Sequence, residues 1–227
     1  MDSKSDFNTL KFILENGGFE TTEKEKPLKV DLFLEKYGKQ FSDFYLFLDE
    51  YPDLIFVKDN DGRTLAHIAT LNNQFGIVEY IFDENPKMNF WKDFSGKTCL
   101  HLAALKNNTR IVRKCLEVSS EEKHKLLKEG DENGDTAFHL AAKYNSLDVL
   151  ELLGFEYLSV EEVNCQNKYG RTALHYAAFW KHVKAIDILI ESGSDLNMED
   201  NKGSFPLILA ARENKKTKKD TSRIWNC

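Results

Sequence analysis

The stretch Gly170-Arg-Thr-Ala-Leu-His-Tyr-Ala-Ala178 decides the fold, because the chain repeats it. Four other segments align with it position by position; all share its glycine, and most share its Thr-x-x-His pair and its two alanines. They are Gly62–Ala69, Gly96–Ala104, Gly134–Ala142 and Gly203–Ala211. The glycines follow one another at intervals of 34, 38, 36 and 33 residues, so one structural unit recurs along the chain.

An amphipathic stretch follows each of the first four motifs, with apolar residues at helical spacing. Motif and stretch together predict two helices joined by a turn. Extra residues lie between Leu116 and Asp131 and around Gly154 to Val163, where the intervals between glycines are longest. The second helices are predicted over residues 75–82, 111–116, 147–153 and 183–190.

These segments resemble the ankyrin signature Gly-x-Thr-Pro-Leu-His-x-Ala-Ala, although the first four replace its proline with Leu65, Cys99, Ala137 and Ala173. The resemblance implies an all-α fold, an ankyrin-repeat solenoid of stacked helix-turn-helix units with hairpin tips. We expect a cap helix and charged linker over residues 1–28. The solenoid, of about five to six repeats with the first and last degenerate or incomplete, would cover residues 29–211, and a basic flexible tail residues 212–227.

Both ends of the repeat array depart from the pattern. Phe44–Pro52 echoes Ile77–Pro86, since each ends in an acidic pair and a proline, and this predicts a degenerate repeat over residues 29–58. After Ala211 no second amphipathic helix follows, so Leu207, Ile208 and Leu209 would lie uncovered unless the tail folds back. We therefore expect a truncated or alternatively terminated product, or a fragment.

Composition narrows the class of protein. With 41% apolar and 30% charged residues the chain is typical of a soluble globular protein. A net charge of -6 argues against nucleic acid or anionic membranes as partners and favours a basic one. The four cysteines form no Cys-x-x-Cys pair, and no secretory signal or membrane-spanning run is present. Reduced thiols, no direct membrane insertion, and a location in the cytosol or nucleus are expected.

The Thr-x-x-His pairs have two interpretations. In the structural one, each threonine caps a first helix and each histidine ties neighbouring loops together through its two ring nitrogens. In the other they form a catalytic or metal-binding array, but histidines about 10 Å apart, one per stacked unit, cannot share an ion. No nucleophile elbow, phosphate loop or dinucleotide fingerprint occurs, so we expect no enzyme, metal or cofactor. The pairs are Thr64/His67, Thr98/His101, Thr136/His139 and Thr172/His175.

Binding is expected on the concave face formed by the hairpin tips and first helices, because solenoids usually present partners with such a surface. Aromatic and basic residues are concentrated at its variable positions, and Tyr, Trp and Arg are enriched at binding hot spots. Phe179 and Trp180 have the alternative of packing on an adjacent repeat. The predicted partner-binding residues are Phe94, Lys97, Lys143, Tyr144, Tyr169, Arg171, Phe179 and Trp180.

Two further features invite a functional interpretation. The acidic hairpin Glu129–Asp135 could meet a basic partner, but a charged tip is also stable in solvent alone. Leu189–Asn197 resembles the pattern that an iron- and oxoglutarate-dependent asparaginyl hydroxylase modifies in many ankyrin repeats, which makes Asn197 a candidate substrate.

The expected function is a protein-protein interaction module, an adaptor, scaffold or inhibitor with a protein partner of unknown identity. The chain resembles the ankyrin inhibitors of Rel-type transcription factors in stack size and acidity. The alternative is the soluble or truncated ankyrin portion of an A-type transient-receptor-potential ion channel, whose degenerate repeats Gly203–Ala211 resembles. A stop codon after Cys227 in the mature transcript would favour the first, and a continuing frame with six apolar spans the second.

Overall fold

The computed structural model describes Leu48, residues 52–56 and residues 58–211. The predicted cap helix and linker and the predicted basic tail lie outside these residues. So does most of the predicted degenerate repeat over 29–58, of which a short 3₁₀ helix, Pro52–Phe56, is seen. The five motifs that carry the repeat are all described.

Each motif starts a helix, and the described residues form α-helices and no strand. The helices are α1 (Leu65–Leu71), α2 (Phe75–Glu84), α3 (Cys99–Leu105), α4 (Thr109–Cys115), α5 (Ser120–Lys128), α6 (Ala137–Tyr144), α7 (Leu147–Leu152), α8 (Val160–Val163), α9 (Ala173–Trp180), α10 (Val183–Glu191) and α11 (Pro206–Ala211). We number the units 1 to 5 by their motif glycines, Gly62 to Gly203. Inner helices α1, α3, α6, α9 and α11 follow the glycines, and α2, α4, α7 and α10 are the outer helices.

One residue in the left-handed conformation ends each of the first four inner helices and turns the chain back into the outer helix. Asn73, Asn107 and Asn145 hold this position in units 1 to 3, with φ between 55° and 58°. Asparagine tolerates such angles better than most residues do. Lys181 takes the position in unit 4, with φ of 60°.

The units stack in chain order. Inner helices pack on inner helices, α1 on α3, α3 on α6, α6 on α9 and α9 on α11, and the outer helices form a second layer. The paired motif alanines are buried between the inner helices, with Ala103 and Ala141 fully covered. Because alanine adds only a methyl group, these helices approach closely, and larger side chains such as Leu100, Ile111 and Leu150 fill the space between the two layers.

Hydrogen bonds between backbones join the hairpin tips into a continuous row. The backbone N–H of Phe94 donates to the carbonyl of Asp61 at 2.8 Å, and that of Glu132 to the carbonyl of Ser95 at 2.9 Å. The same bond recurs from Lys168 to Asn133 and from Asn201 to Tyr169. Each tip is therefore fixed against the next.

The extra residues after Leu116 and Gly154 form two insertions that pack on one another. The first is helix α5; the second is a turn of π-helix, Leu153–Tyr157, followed by α8. His124 of α5 lies 3.4 Å from the carboxylate of Glu162, and Lys123 lies over the ring of Tyr157. Units 2 and 3 are thus linked on their outer side, and Gly154 of the π-helical turn lies against Ser192 at the end of α10 in unit 4.

The last described helix corrects one prediction. Leu207 and Ile208 are exposed, as expected, but Leu209 is buried. Helix α11 packs on α9, and this contact turns Leu209 toward the preceding unit. Only part of the predicted uncovered patch is therefore exposed among the described residues.

Candidate functional site

A carboxylate or amide three residues before each glycine builds every hairpin tip. In unit 3, Oδ1 of Asp131 accepts hydrogen bonds from the backbone N–H groups of Asn133 at 2.8 Å and Asp135 at 3.0 Å. Sequence reasoning missed these residues, although their recurrence ahead of the glycines was a usable signal. Asp59, Asp93, Asn167 and Asp200 accept equivalent bonds in the other units.

Each Thr-x-x-His pair links two units. In unit 2 the backbone N–H of Thr98 donates to Nδ1 of His101 at 3.2 Å, and the threonine hydroxyl lies 2.9 Å from the same nitrogen. Nε2 of His101 then donates to the carbonyl of Asp135 in the next unit at 3.1 Å. Equivalent bonds run from His67 to unit 2, from His139 to unit 4 and from His175 to unit 5.

Burial keeps these histidines neutral. It lowers the pKa of His101 to about 4, against the opposing attraction of Asp131. Burial likewise lowers the pKa of His67, His139 and His175. Among the described residues, no three His, Cys, Asp or Glu side chains come close enough together to hold a metal ion.

We expect stability to fall on acidification. The unfolded chain protonates His101 near pH 6.5 and the folded chain only near pH 4, so its contribution is complete above pH 6.5 and is lost as the pH falls toward 4. Between pH 7.5 and pH 5 this one residue should lower the free energy of unfolding by about 2 kcal/mol. Urea denaturation at the two pH values measures it, and equal unfolding free energies would contradict the expectation.

We call the surface formed by the tips and the inner helices the inner surface. At units 3 and 4 several of its side chains contact one another around Tyr176. The Tyr176 hydroxyl lies 3.0 Å from both carboxylate oxygens of buried Asp135 and accepts a hydrogen bond from Nδ2 of Asn167 at 3.0 Å. Burial, with the adjacent Asp135 carboxylate, raises the Tyr176 pKa well above its usual value. The phenol therefore remains a hydrogen-bond donor.

Two of the predicted cations flank this ring. Nζ of Lys143 lies 5.3 Å from the centre of the Tyr176 ring and 5.8 Å from that of Tyr144. Cζ of Arg171 lies 6.0 Å from the centres of both the Tyr176 and Phe179 rings. These are distances at which a cation is attracted to an aromatic face. Lys143, Tyr144, Arg171 and Phe179 thus form one cluster around a residue that sequence reasoning did not select.

Other units hold Ile68, Leu102 and Leu140 where unit 4 holds Tyr176. A phenol at a position otherwise occupied by aliphatic side chains was the signal in the sequence that could have identified it.

Of the remaining predicted binding residues, Trp180 joins this cluster, and the other three lie on hairpin tips. Trp180 packs edge-to-face on Phe179, with ring centres 5.2 Å apart, and both rings are half-buried. Tyr169 is exposed, and its hydroxyl donates to Oδ1 of Asn133 at 3.1 Å. Phe94 is 71% exposed and covers Gly62 of unit 1. Lys97 lies on the tip of unit 2, with Nζ 3.8 Å from Asp131.

The acidic hairpin offers less negative charge to solvent than its composition suggests. Asp131 and Asp135 are buried, the first accepting hydrogen bonds within the tip and the second bound to Tyr176. Glu129 pairs with Lys92. Glu132 is the acidic side chain that this hairpin leaves exposed and without an ion pair among the described residues.

Asn197 lies on the loop after α10 and is exposed. Its backbone N–H donates to Oδ1 of Asp195 at 2.8 Å. At the equivalent position one repeat earlier, the Asn164 side chain donates to the Gly193 carbonyl and accepts from the Asp195 backbone N–H. Hydroxylation of Asn197 stays a prediction.

Comparison with known proteins identifies the family. The model of ankyrin repeats in three copies matches residues 35–118, 67–160 and 154–219, which is most of the chain. The chain is an ankyrin-repeat protein. The ankyrin repeat is a protein-protein interaction fold, and the described residues contain no helix long and apolar enough to cross a membrane.

Several curated proteins are similar to this ankyrin-repeat chain over about a third of its length. Dog inversin is 34% identical over 76 residues, 34% of this chain and 7% of inversin. Human neurogenic locus notch homolog protein 1 is 39% identical over 83 residues, 36% of this chain and 3% of that protein. A putative ankyrin repeat protein of Acanthamoeba polyphaga mimivirus is 36% identical over 73 residues, 31% of this chain and 9% of the viral protein. The matches thus cover under a tenth of each relative.

Proposed function

We propose that this ankyrin-repeat protein is a non-enzymatic adaptor, scaffold or inhibitor in the cytosol or nucleus. In this proposal it binds one protein partner through the inner surface of units 3 and 4. The observation that carries it is the cluster around Tyr176, in which Lys143 and Arg171 connect exposed Tyr144 to half-buried Phe179 and its neighbour Trp180. Exposed Tyr169 lies on the tip of unit 4. Aromatic groups concentrated on one surface are typical of binding hot spots.

The cluster is held in place before any partner arrives. Asp135 and Asn167 fix the Tyr176 hydroxyl, and the tip hydrogen bonds fix the backbone at Tyr169 and Lys168. Surfaces that are ordered in advance lose less conformational entropy on binding. This supports recognition of a defined segment.

We expect a Tyr144→Ala, Tyr169→Ala, Trp180→Ala triple variant to lose its partner. Removing three aromatic anchors should weaken binding by at least about a hundredfold, since one hot-spot truncation already costs about 2 kcal/mol or more and the three costs do not simply add. Affinity capture from the native cell, with quantitative mass spectrometry of the bound proteins, compares the variant with wild type. Circular dichroism checks that helicity is unchanged.

Phe155→Ala provides the matched control, because Phe155 is 54% exposed on the outer insertion. This variant should retain the partner. An unchanged list of bound proteins for the triple variant would place the site elsewhere, and the absence of any specific partner of wild type would contradict the adaptor function. A transcript that continues beyond Cys227 into six apolar spans would instead support the channel alternative.

A further inference from the structure

The two cations at the centre of the cluster have unused binding capacity. The side chain of Lys143 has no carboxylate within 4 Å and donates no hydrogen bond to any of the described residues, and its contacts are the two tyrosine rings. The side chain of Arg171 donates no hydrogen bond to any of the described residues, and its nearest carboxylate oxygen, on Asp200, is 3.7 Å from Nε. Because Nε is buried, the terminal Nη groups are the donors that a partner can reach. A guanidinium has five N–H donors and an ammonium three.

The two nearby carboxylates, on Asp135 and Asp200, already accept hydrogen bonds from other groups of the protein. Asp135 is buried under Tyr176 and Asn167. Oδ1 of Asp200 accepts the backbone N–H groups of Lys202 and Ser204. Although burial raises the Asp200 pKa, these two bonds and Arg171 outweigh it and lower the pKa below its usual value. Neither carboxylate can turn outward to neutralise Lys143 without breaking these bonds.

Charge is distributed unevenly over the chain, whose net charge is -6. Exposed and half-buried basic residues together outnumber acidic ones on the tips and at the ends of the inner helices. Exposed carboxylates are common on the outer helices α2, α7 and α10. The basic residues of the inner surface are Arg63, Lys97, Lys106, Lys143, Lys168, Arg171 and Lys202, and the acidic ones that are not buried on its tips are Asp59, Asp61, Glu132 and Glu199.

We propose that the inner surface of units 3 and 4 binds an acidic segment of the partner protein, with carboxylates on Lys143 and Arg171 and apolar side chains against Tyr144 and Trp180. This inference rests on the proposed function and reverses the expectation from net charge, which favoured a basic partner. The aromatic rings hold each cation in position, so a carboxylate meets a charge that is already placed. Arg171 can grip a carboxylate with two parallel hydrogen bonds.

Selection from a random peptide library displayed on phage tests the inference without knowledge of the natural partner. Peptides selected on the wild-type chain should contain about twice as many Asp and Glu residues as the starting library, together with apolar residues. The best synthetic peptide should bind a Lys143→Glu, Arg171→Glu variant at least about tenfold more weakly, because two attractive charge contacts become repulsive. Added salt should weaken wild-type binding.

Matched controls separate charge from folding. A Lys87→Glu, Lys184→Glu variant changes the net charge equally at two exposed residues outside the inner surface and should bind the peptide normally. Lys143→Glu alone, at a side chain with no ion pair to a described residue, should still weaken binding if the double variant fails to fold.

Each outcome has a distinct meaning. Peptides that depend on Tyr144, Tyr169 and Trp180 but carry no acidic enrichment would overturn this inference and leave the proposed function standing. Selected peptides that bind the aromatic triple variant as tightly as the wild-type chain would overturn both the inference and the proposed function, and so would a failure to select any peptide. Binding of a single-stranded DNA oligonucleotide as tight as that of the best peptide would show that the cations bind phosphate, and would overturn the inference.

Discussion

His101→Ala should remove about 4 kcal/mol from the free energy of unfolding, a large part of what holds a domain of this size folded. The substitution leaves a cavity and strands two buried polar groups, the backbone N–H of Thr98 and the carbonyl of Asp135. Because these groups belong to successive units, the interface between units 2 and 3 loses the hydrogen bond that His101 makes across it. Urea denaturation followed by circular dichroism measures the loss.

His124→Ala is the matched control for this variant. It removes the same side chain from a position that is 64% exposed, where the ring lies 3.4 Å from Glu162. Its cost should stay below about 0.5 kcal/mol, as is usual for surface substitutions. Similar unfolding free energies for the two variants would show that the motif histidine does not join the units.

Gly170→Ala should cost about 3 kcal/mol. The residue has φ of 72°, a conformation that costs an L-residue about 1 kcal/mol or more. An added Cβ would also lie only 2.7 Å from the backbone nitrogen of Asn201, which is itself bonded to Tyr169. The tips of units 4 and 5 would have to separate, and overpacking of this kind adds about 1–3 kcal/mol.

Gly203→Ala isolates the contribution of this contact. Gly203 has a similar φ of 68°, but the nearest atom to an added Cβ is 3.6 Å away, on the flexible side chain of Glu199. We expect a loss of only about 1 kcal/mol there. If thermal and urea denaturation gave the same loss for both variants, the close approach of the two tips would contribute nothing to stability.

The repeat and its helices could be predicted from the sequence, because the apolar residues at helical spacing are the ones that the helices bury against one another. Apolar residues at helical spacing predicted outer helices at 75–82 and 183–190, and the structure has Phe75–Glu84 and Val183–Glu191. Each inner helix begins after the motif threonine or, in unit 5, at Pro206. Local periodicity reports which face is buried, so it fixes these elements well.

The sequence analysis located the two insertions from the long intervals between glycines, but it did not predict the helices that they form. Their signal was the Ser-x-x-Glu capping box, present at Ser119/Glu122 and at Ser159/Glu162, where it starts α5 and α8. A π-helical turn after Leu152 has no comparable signature, because it depends on contacts such as the close approach of Gly154 to Ser192.

The candidate site was predicted only in part for a different reason. Sequence showed that Tyr144, Arg171 and Phe179 could face a partner, since the repeat register places them. It could not show that the Asp135 carboxylate accepts a hydrogen bond from the Tyr176 hydroxyl, or that the Asp131 carboxylate accepts hydrogen bonds from the backbone of its own tip. A charge count treats every carboxylate as available, whereas burial and hydrogen bonding decide which ones a partner can meet.

The contact between the two insertions bears on the order in which the stack comes apart. Arg113 of α4 and Glu156 of the π-helical turn form a bidentate ion pair, and α5 contacts the same turn, so units 2 and 3 are joined on their outer side. Gly154 of this turn also lies against Ser192 at the end of α10, which extends the contact to unit 4. Unit 5 has no such link among the described residues, and unit 1 is joined to unit 2 by the Asp83–Lys114 ion pair and by Lys125 of α5, which lies over the Phe90 ring. Local opening in a stack begins where neighbours contribute least. Amide protons of α6 and α9 should then exchange last, and the Tyr176 cluster would persist in molecules whose end units have already frayed.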